Sequence, residues 1–426
     1  MKKILFVLAL AAFAGTATAQ DKVVRKARML KDEVQNLVAL PERNEKQEAE
    51  LNTKLAECME MITPTLNNPE TKKELANAWD IKAQLHMYLF NPLLNNVIAK
   101  QPTDTAKLAE NIYASLEAME ECYKATQALG LKGEKDPYTI PNKLKVIQFR
   151  PYVAYCGQMF FQNQQHPKAV DAFKRWMNYP KTYSILGADA ASLAEDDQNP
   201  QIAYFTCLAA YFAKDYKTLL EYMPTARQYT QEKDQVNQLY LTVLIEQGDT
   251  AAWLKAGKEV VLAEPSANDA VAQNILAYYF THNDFNGAQA FADEILAADS
   301  NSKLGNYAKG LVFMNDHKYA DAIPFFEKAT QADESFSDAY FNAGVCYSNI
   351  GYEKNEALTG KKMTVAQQNA EIQKVKDEYA KAEPYFLKVK ELEPDNPHKW
   401  ATRLRTVYYI LGNKAKEKEM ATLVGD

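Results

Sequence analysis

Apolar residues recur along most of the chain at the three- and four-residue spacing of helices that bury one face. After about residue 150 the helical stretches come in pairs joined by short polar turns. One pair runs from Asn306 to Asn315, turns at 316–318, and continues from Tyr319 to Ala329. No cluster of Val, Ile and Thr alternates with polar residues as in a half-buried strand. The pattern predicts an all-α chain built from helical hairpins.

The hairpins recur at one fixed spacing, a period of about 34 residues. This spacing separates five pairs of matching positions: Gly310 and Gly344, Phe285 and Tyr319, Ala288 and Ala322, Ile295 and Ala329, and Asp299 and Asp333. A fixed period of this length is typical of stacked repeats, in which each unit buries its apolar face against the next one. Repeats are predicted to start at about 150, 200, 234, 269, 303 and 337.

The residue types at these positions resemble the tetratricopeptide repeat, a helix-turn-helix unit of about 34 residues. The clearest unit begins at 337 and carries the aromatic, small and apolar residues of that repeat at Tyr340, Gly344, Tyr347, Tyr379, Ala382, Phe386, Val389 and Pro394. The unit at 150 is similar, with Gly157, Phe160, Ala169, Phe173 and Trp176, whereas the first helix of the unit at 234 lacks the small residue and the aromatics. The resemblance covers roughly three-fifths of the chain. It implies a right-handed α-solenoid in which the small residue lets paired helices cross closely.

These patterns predict four segments. Residues 1–19 form a signal peptide, and 20–149 form a divergent helical region in which repeat-like hairpins remain an open alternative. Residues 150–396 form the repeat array, with an inserted segment at 184–199 and an extended hairpin at 353–377. Residues 397–426 form capping helices. Within the N-terminal region, breaks in the helical pattern are expected at Pro41, at 64–68 and at 92–102.

The N-terminus has the features of an export signal. Lys2 and Lys3 precede an apolar run from Ile4 to Ala14, and Ala17-Thr18-Ala19 offers a cleavage site after Ala19. The apolar run is too short to cross a bilayer, which takes roughly 20 residues, so no transmembrane segment is predicted. A lipid anchor would require a cysteine at the cleavage point, and the first cysteine is Cys58. We expect a periplasmic or secreted protein.

Charge and motif content remove several classes of function. The 49 basic and 55 acidic residues are evenly spread, which argues against nucleic acid and anionic membranes as partners. The chain has no H-E-x-x-H, no G-x-S-x-G and no phosphate-binding glycine loop, and its five histidines are scattered. We therefore predict no enzymatic activity and no cofactor.

Two further residue types could carry chemistry. The five cysteines stand more than thirty residues apart, so they are expected to be small buried apolar residues, with a stray disulfide or reactive thiol as the alternative. His282 and His317, beside Asp284 and Asp316, recur near the same place in successive repeats. Polar residues are expected in such turns in any case, and no metal site is predicted.

The family resemblance implies a concave groove lined by the first helices. Carried onto this sequence, the groove places are Phe161, Gln162, Tyr204, Tyr211, Gln238, Gln273, Phe280, Tyr307, Met314, Phe341 and Asn349. Rigid rings with polar tips bind peptides or sugars at low entropic cost. We expect this groove to hold a protein or peptide partner in the cell envelope, with a glycan or nutrient as the alternative ligand. The terminal-carboxylate clamp of some family members is absent, because Tyr307, Leu311 and Val345 occupy its places.

Two insertions depart from the repeat. The segment from Glu353 to Lys376 keeps a helical pattern, with Thr364 as the expected N-cap and Val365, Ile372 and Val375 on one stripe. It should extend both helices of its hairpin, either as a contact for a partner or as an arm that folds back. The acidic run 195–197 in the other insertion is expected to be a solvated loop. The sequence does not indicate the oligomeric state.

Overall fold

The computed structural model describes residues 17–68, 71 and 73–425. Across these ranges every regular element is helical, which confirms the predicted all-α helical-repeat fold. Residues 1–16 of the predicted signal peptide lie outside the described residues. By its internal contacts the chain divides into two compact units, Met1–Val243 and Leu244–Asp426.

The described residues of unit 1 form nine complete α-helices, most of them paired as hairpins. Their bounds are α1 Ala17–Val38, α2 Glu45–Leu66, α3 Leu75–Ile98, α4 Thr105–Ala128, α5 Thr139–Gln162, α6 His166–Thr182, α7 Asp189–Ala194, α8 Asn199–Phe212 and α9 Tyr216–Ala226. The hairpins are α1 with α2, α3 with α4, α5 with α6, and α8 with α9. Short 3-10 helices lie at Gly133–Lys135, Ser184–Leu186 and Thr230–Glu232. Helix α10, Lys233–Glu246, contains the division between the units.

Unit 2 continues the same pattern. Its helices are α11 Thr250–Ala263, α12 Asp269–Thr281, α13 Phe285–Ala298, α14 Lys303–Asn315, α15 Tyr319–Ala332, α16 Ser337–Glu356, α17 Val365–Leu392, α18 Pro397–Leu411 and α19 Lys414–Val424, with a 3-10 turn at Pro265–Ala267. Helices α12 to α19 pair as consecutive hairpins, α12 with α13 through α18 with α19. First helices begin at Asp269, Lys303 and Ser337. The predicted segment limits at 149/150 and 396/397 stay predictions.

A glycine marks the crossing of the two helices in three hairpins. A Cβ atom added at Gly157 would lie 2.6 Å from the ring of Phe173, and one at Gly310 would lie 2.6 Å from the ring of Phe326. The corresponding distance from Gly344 to Phe386 is 2.8 Å. Contacts this short are not tolerated, so only a hydrogen leaves room for the ring. The aromatic residue of the second helix therefore packs directly onto the backbone of the first.

The turns inside the hairpins share one backbone conformation. Lys214, Asn283 and His317 have φ values of 58°, 56° and 61°, in the left-handed region that few non-glycine residues adopt. In two of these turns an aspartate follows directly and caps the second helix: Asp215 accepts from the Thr218 N–H and Asp284 from the Gly287 N–H. A tight turn of this kind sets the two helices of these hairpins antiparallel.

The cysteines lie in the apolar interior of the units. All five are buried, as the sequence predicted. Burial raises the pKa of the Cys58 thiol to about 11 and that of the Cys156, Cys207 and Cys346 thiols to about 12. A thiol with such a pKa carries almost no thiolate near neutral pH, and thiolate is the reactive form. The cysteines therefore act as packing residues.

Two expectations about helix boundaries had different outcomes. The break predicted at 92–102 is confirmed only in part, because α3 continues through Pro92 to Ile98 and the chain leaves the helix at 99–104. The buried side chains of Phe90 and Leu94 hold the helix on either side of the proline. The N-cap predicted at Thr364 is confirmed: its hydroxyl accepts from the Gln367 N–H in a capping box.

The insertion near residue 360 lengthens the last full repeat. Helix α16 has 20 residues and α17 has 28, so both extend past the 13 or 14 residues of the neighbouring repeat helices α12 to α15. Along α17 the predicted apolar stripe is buried at Val375 but exposed at Ile372 and Val365. The part of this extension near Val375 therefore belongs to the core of unit 2, whereas the part near Val365 is exposed to solvent.

Candidate functional site in unit 1

The groove residues predicted from the sequence are distributed over both units and differ in exposure. The exposed members are Gln162, Gln238 and Gln273; those half-buried are Phe161, Tyr211, Phe280, Tyr307, Met314, Phe341 and Asn349; Tyr204 is buried. Their assignment to a partner-binding groove stays a prediction. The contacts of each ring decide how much of it remains for a partner.

In unit 2 the predicted rings pack mainly against their own hairpins. The ring of Tyr307 lies 4.8 Å from that of Phe336, and its hydroxyl accepts a 3.0 Å hydrogen bond from the Asn342 amide. Burial raises the pKa of Tyr307 to about 12. The ring of Phe341 lies 6.0 Å from Phe386, with the Arg403 guanidinium 5.6 Å from its centre. These rings are needed for packing whether or not they also meet a partner.

In unit 1 five aromatic side chains gather where two successive hairpins turn. We call this set the aromatic corner: Phe161, His166, Tyr211, Phe212 and Tyr216. The ring of Phe212 stacks on His166 at 5.1 Å and meets Phe161 edge-on at 5.9 Å. Tyr211 lies 6.4 Å from Tyr216 and 5.6 Å from Phe212. Phe212 is 55% exposed, which is unusual for a phenylalanine that already has ring neighbours.

The hairpin geometry explains how these rings come together. Phe161 stands at the end of α5 and His166 begins α6, while Phe212 ends α8 and Tyr216 begins α9. Each three-residue turn returns the chain so tightly that a ring near the end of the first helix meets the first ring of the second, Phe161 with His166 and Tyr211 with Tyr216. Stacking of the two hairpins then brings Phe161 and Phe212 into contact.

Sequence reasoning found Phe161 and Tyr211 but missed the other three members of the cluster, His166, Phe212 and Tyr216. Phe212 stands at the place in its repeat that Gln162 occupies in the preceding one, and Gln162 is among the predicted groove residues. The aromatic residue at this repeat position is the sequence signal that could have identified Phe212. The ring of His166 comes from a second helix, which the groove template does not cover.

The exposed face of α5 continues from the aromatic corner along the whole helix. We call it the uncharged face, and it consists of Ile140, Leu144, Gln148, Pro151, Tyr155, Gln158 and Gln162. All are exposed except Tyr155, which is half-buried. Ile140 is 71% exposed and Leu144 is 63% exposed. No member carries a charge, whereas 24% of the chain is charged.

This lack of charge extends to the first helices of three hairpins of unit 1, whereas α1, the first helix of the N-terminal hairpin, is rich in charge. Helices α3, α5 and α8 hold five Asp, Glu, Lys and Arg residues in 62 positions, and α8 holds none. Their partner helices α4, α6 and α9 hold 13 in 52. In these three hairpins charge is thus concentrated on the second helices. The first helices present amides, aromatic rings and aliphatic side chains instead.

Helix α5 begins at Thr139, well before the predicted repeat start at 150, and its extra turns are firmly held. The Asn142 amide donates a 3.1 Å hydrogen bond to the Asp80 carboxylate of α3. The ring of Phe149 meets Phe90 edge-on at 5.1 Å. These contacts fix the side of α5 opposite Ile140 and Leu144. The uncharged face therefore stands on a rigid support.

The inserted segment 184–199 is fastened beside α5. Arg150 is nearly buried, and its guanidinium donates to the Asp196 carboxylate at 2.5 Å and to the Leu193 carbonyl at 3.2 Å. It also lies 3.6 Å from the centre of the Trp176 ring. The interpretation of 195–197 as a solvated loop is wrong for Asp196, because this carboxylate neutralises a buried cation.

A second buried charge holds the other end of the segment. The Glu120 carboxylate is 4% exposed and accepts hydrogen bonds from the Ser184 hydroxyl and from the Ile185 N–H, the latter at 3.1 Å. Lys143 of α5 forms an ion pair with Asp189 at 2.5 Å. Buried charges are costly unless they are paired and hydrogen-bonded, so these contacts give the segment one position.

The two turn histidines considered as metal ligands, His282 and His317, each contact a different tyrosine. His282 Nδ1 lies 2.8 Å from the Tyr278 carbonyl, and His317 Nδ1 lies 2.8 Å from the Tyr319 hydroxyl. Within the part of the chain that the structure covers, no three His, Cys, Asp or Glu side chains are grouped so that they could hold a metal ion. In the same residues, no helix combines the length and apolar character needed to span a membrane.

Comparison with known proteins gives similarity in fold alone. No family model matches the chain, and no curated protein matches it. Among solved structures, the C-terminal part of a TPR repeat-containing protein from Cytophaga hutchinsonii is 14% identical, with a TM-score of 0.36, over 62% of this chain and 92% of that one. The TPR2AB domain of yeast Sti1 in complex with pHSP90 is 14% identical, with a TM-score of 0.24, over 62% of this chain and 99% of that one.

A third similar structure is human IFIT1 with PPP-AAAA, which is 14% identical with a TM-score of 0.23 and covers 95% of each chain. These proteins share the helical-repeat architecture. At such scores the similarity carries no information about what this protein binds.

Proposed function

We propose that this protein is a non-enzymatic helical-repeat scaffold that holds a protein or peptide partner. The observation that carries the proposal is the aromatic corner, where the half-exposed Phe212 ring lies in contact with Phe161 and His166. Rings held in place by their neighbours lose little conformational freedom on binding and bury a large apolar area, at about 25 cal/mol per Å². Preformed aromatic clusters of this kind are typical anchors of protein interfaces.

The proposed place of action is outside the cytoplasm, in the periplasm or the medium. The support is the sequence of the N-terminus, where two lysines precede the apolar run Ile4 to Ala14 and a cleavage site after Ala19. N-terminal sequencing of the mature protein from its native cells tests this directly. A chain starting at Gln20 in the envelope or medium is expected; an intact chain retained in the cytoplasm contradicts it.

The proposed binding role is tested by removing the two rings at the centre of the corner. Phe161→Ala with Phe212→Ala should abolish recovery of partners from the native cell envelope by crosslinking and mass spectrometry. The matched control is Ile98→Ala, an equally apolar and 68% exposed position of the same unit. Thermal unfolding of all three proteins checks that the array remains folded.

The outcome of that experiment decides the proposal. If the double variant recovers partners as well as the native protein does, at unchanged thermal stability, the aromatic corner does not bind the partner. A glycan array run with the same proteins examines the alternative ligand: capture of glycans by the native protein, lost in the double variant, would replace the peptide-holding role by a glycan-binding one.

A further inference from the structure

The uncharged face of α5 is larger than the aromatic corner and has a different chemistry. Ile140 and Leu144, its most exposed aliphatic members, lie on turns that precede the predicted repeat. Largely exposed aliphatic side chains that adjoin each other at helical spacing are costly to leave in water and are typical of interaction sites. The face therefore indicates a ligand whose chemistry does not follow from the aromatic corner alone.

We propose that the uncharged face binds an apolar, uncharged polypeptide segment of the partner, a proposal that rests on the proposed function and adds the chemistry of the ligand. The face carries no charge that could compensate an Asp, Glu, Lys or Arg of a bound segment. Such a side chain would lose hydration without gaining a counter-charge, so charged segments are rejected.

The aliphatic members decide between a polypeptide and a sugar. Sugar rings stack on aromatic rings and direct their hydroxyls to polar groups, and neither requirement is met at Ile140 and Leu144. These side chains instead match Leu, Ile, Val, Met or Pro of a peptide. The exposed amides lie on the same face, that of Gln148 between Leu144 and Pro151 and those of Gln158 and Gln162 beyond Tyr155, where they can hydrogen-bond the backbone of a bound segment.

The size of the face sets the length of the segment. From Ile140 to Gln162 the helix rises about 33 Å, at about 1.5 Å per residue. An extended chain covers this distance with about ten residues, at roughly 3.3 Å each. The contacts of α5 with Asp80 and Phe90, and those of Arg150 with the inserted segment, keep the face in one position. A rigid face of this kind binds without first having to be ordered.

A random dodecapeptide library displayed on phage is the probe for the test. It is selected on the immobilised full-length chain, and the recovered peptides are synthesised and measured by fluorescence anisotropy. We expect them to be poor in Asp, Glu, Lys and Arg. Their affinity should change little between about 50 and about 500 mM salt, because no charge pair contributes to binding.

The decisive variant is Leu144→Lys, which places a cation on an exposed position and leaves the core intact. It should weaken the selected peptides by about tenfold or more, corresponding to loss of one well-buried apolar contact and desolvation of the ammonium group. Ile98→Lys, which adds the same charge at an exposed aliphatic residue on α3, should leave the affinity within about twofold.

Each other result overturns this inference. Selection of charged, salt-sensitive peptides, indifference to Leu144→Lys, or failure to select any peptide contradicts an apolar polypeptide ligand. Self-association of the free protein that Leu144→Lys abolishes assigns the face to a second copy of the chain. If the peptides are lost in the Phe161→Ala and Phe212→Ala variant but tolerate Leu144→Lys, the proposed function stands and only the uncharged face is wrong.

Discussion

At the scale of single residues, a glycine and an aromatic ring act as a pair in the three hairpins that carry Gly157, Gly310 and Gly344. The repeat period was readable because Gly310 and Gly344 must both be small where an aromatic ring crosses them. What the sequence could not reveal is the use of each ring. Tyr307 and Phe212 both occupy first-helix places, yet Tyr307 is held by Phe336 and Asn342 whereas Phe212 is left half exposed.

Gly310→Ala tests the close crossing. The added methyl group would lie 2.6 Å from the Phe326 ring, so the ring or the helix must move. Overpacking of this kind typically costs about 1–3 kcal/mol in the free energy of unfolding, measured by urea denaturation. Combining it with Phe326→Leu, which clears the ring edge, should recover part of the loss. A Gly310→Ala protein as stable as the native chain would contradict the packing described.

Asp333 tests the electrostatics within one repeat, because this residue follows α15 and its partner Lys303 begins α14 of the same hairpin. Its carboxylate accepts from the Ser335 hydroxyl and pairs with Lys303 at 2.9 Å, and these contacts lower its pKa to about 2. A carboxylate with a depressed folded-state pKa stabilises the protein above its unfolded value of about 3.9 and ceases to do so as the pH falls through the folded value. The contribution is therefore lost between about pH 4 and pH 2.

The prediction is a difference in pH dependence. Asp333→Asn should lower the midpoint of thermal unfolding at pH 7, and this deficit should shrink as the pH is reduced from about 4 towards 2. Asp321→Asn, a change of the same chemistry at an exposed position, serves as the control. A deficit that stays constant over this range would show that the carboxylate charge is unimportant there.

At the scale of helices and insertions, local signals were readable and long-range ones were not. Thr364 could be predicted as a cap because capping depends on residues three apart. The course of α3 through Pro92 and the fastening of Asp196 to Arg150 depend on groups far away in sequence, 46 residues apart for the latter pair. No periodic pattern in the sequence indicates contacts of this kind.

Asp196→Asn tests how the inserted segment is held. The change leaves the buried Arg150 guanidinium without its neutralising carboxylate, which is costly in an apolar setting. Amide hydrogen exchange should speed up across residues 184–199, whereas exchange in α9 should be unaffected. Asp197→Asn, one residue further at an exposed position, should change neither region. Unchanged exchange in both variants would mean that Arg150 does not hold the segment.

At the scale of the whole molecule, the sequence predicted the class of fold and only part of the candidate site. The fold could be predicted because successive hairpins repeat the same packing of two helices. The uncharged face was missed because half of it lies on turns of α5 that precede the repeat, where the template assigns no places. Its existence depends on which side of a long helix the core leaves open, and that follows from contacts with α3 and the inserted segment.

The most direct test of the account is to map where a bound peptide lies. A library-selected dodecapeptide carrying a benzophenone group is photo-crosslinked to the full-length chain, and the attachment sites are found by mass spectrometry. We expect crosslinks within 139–162 and 211–216 that are lost when unlabelled peptide competes. Competable crosslinks confined to unit 2, or to the charged second helices α4 and α6, would contradict it.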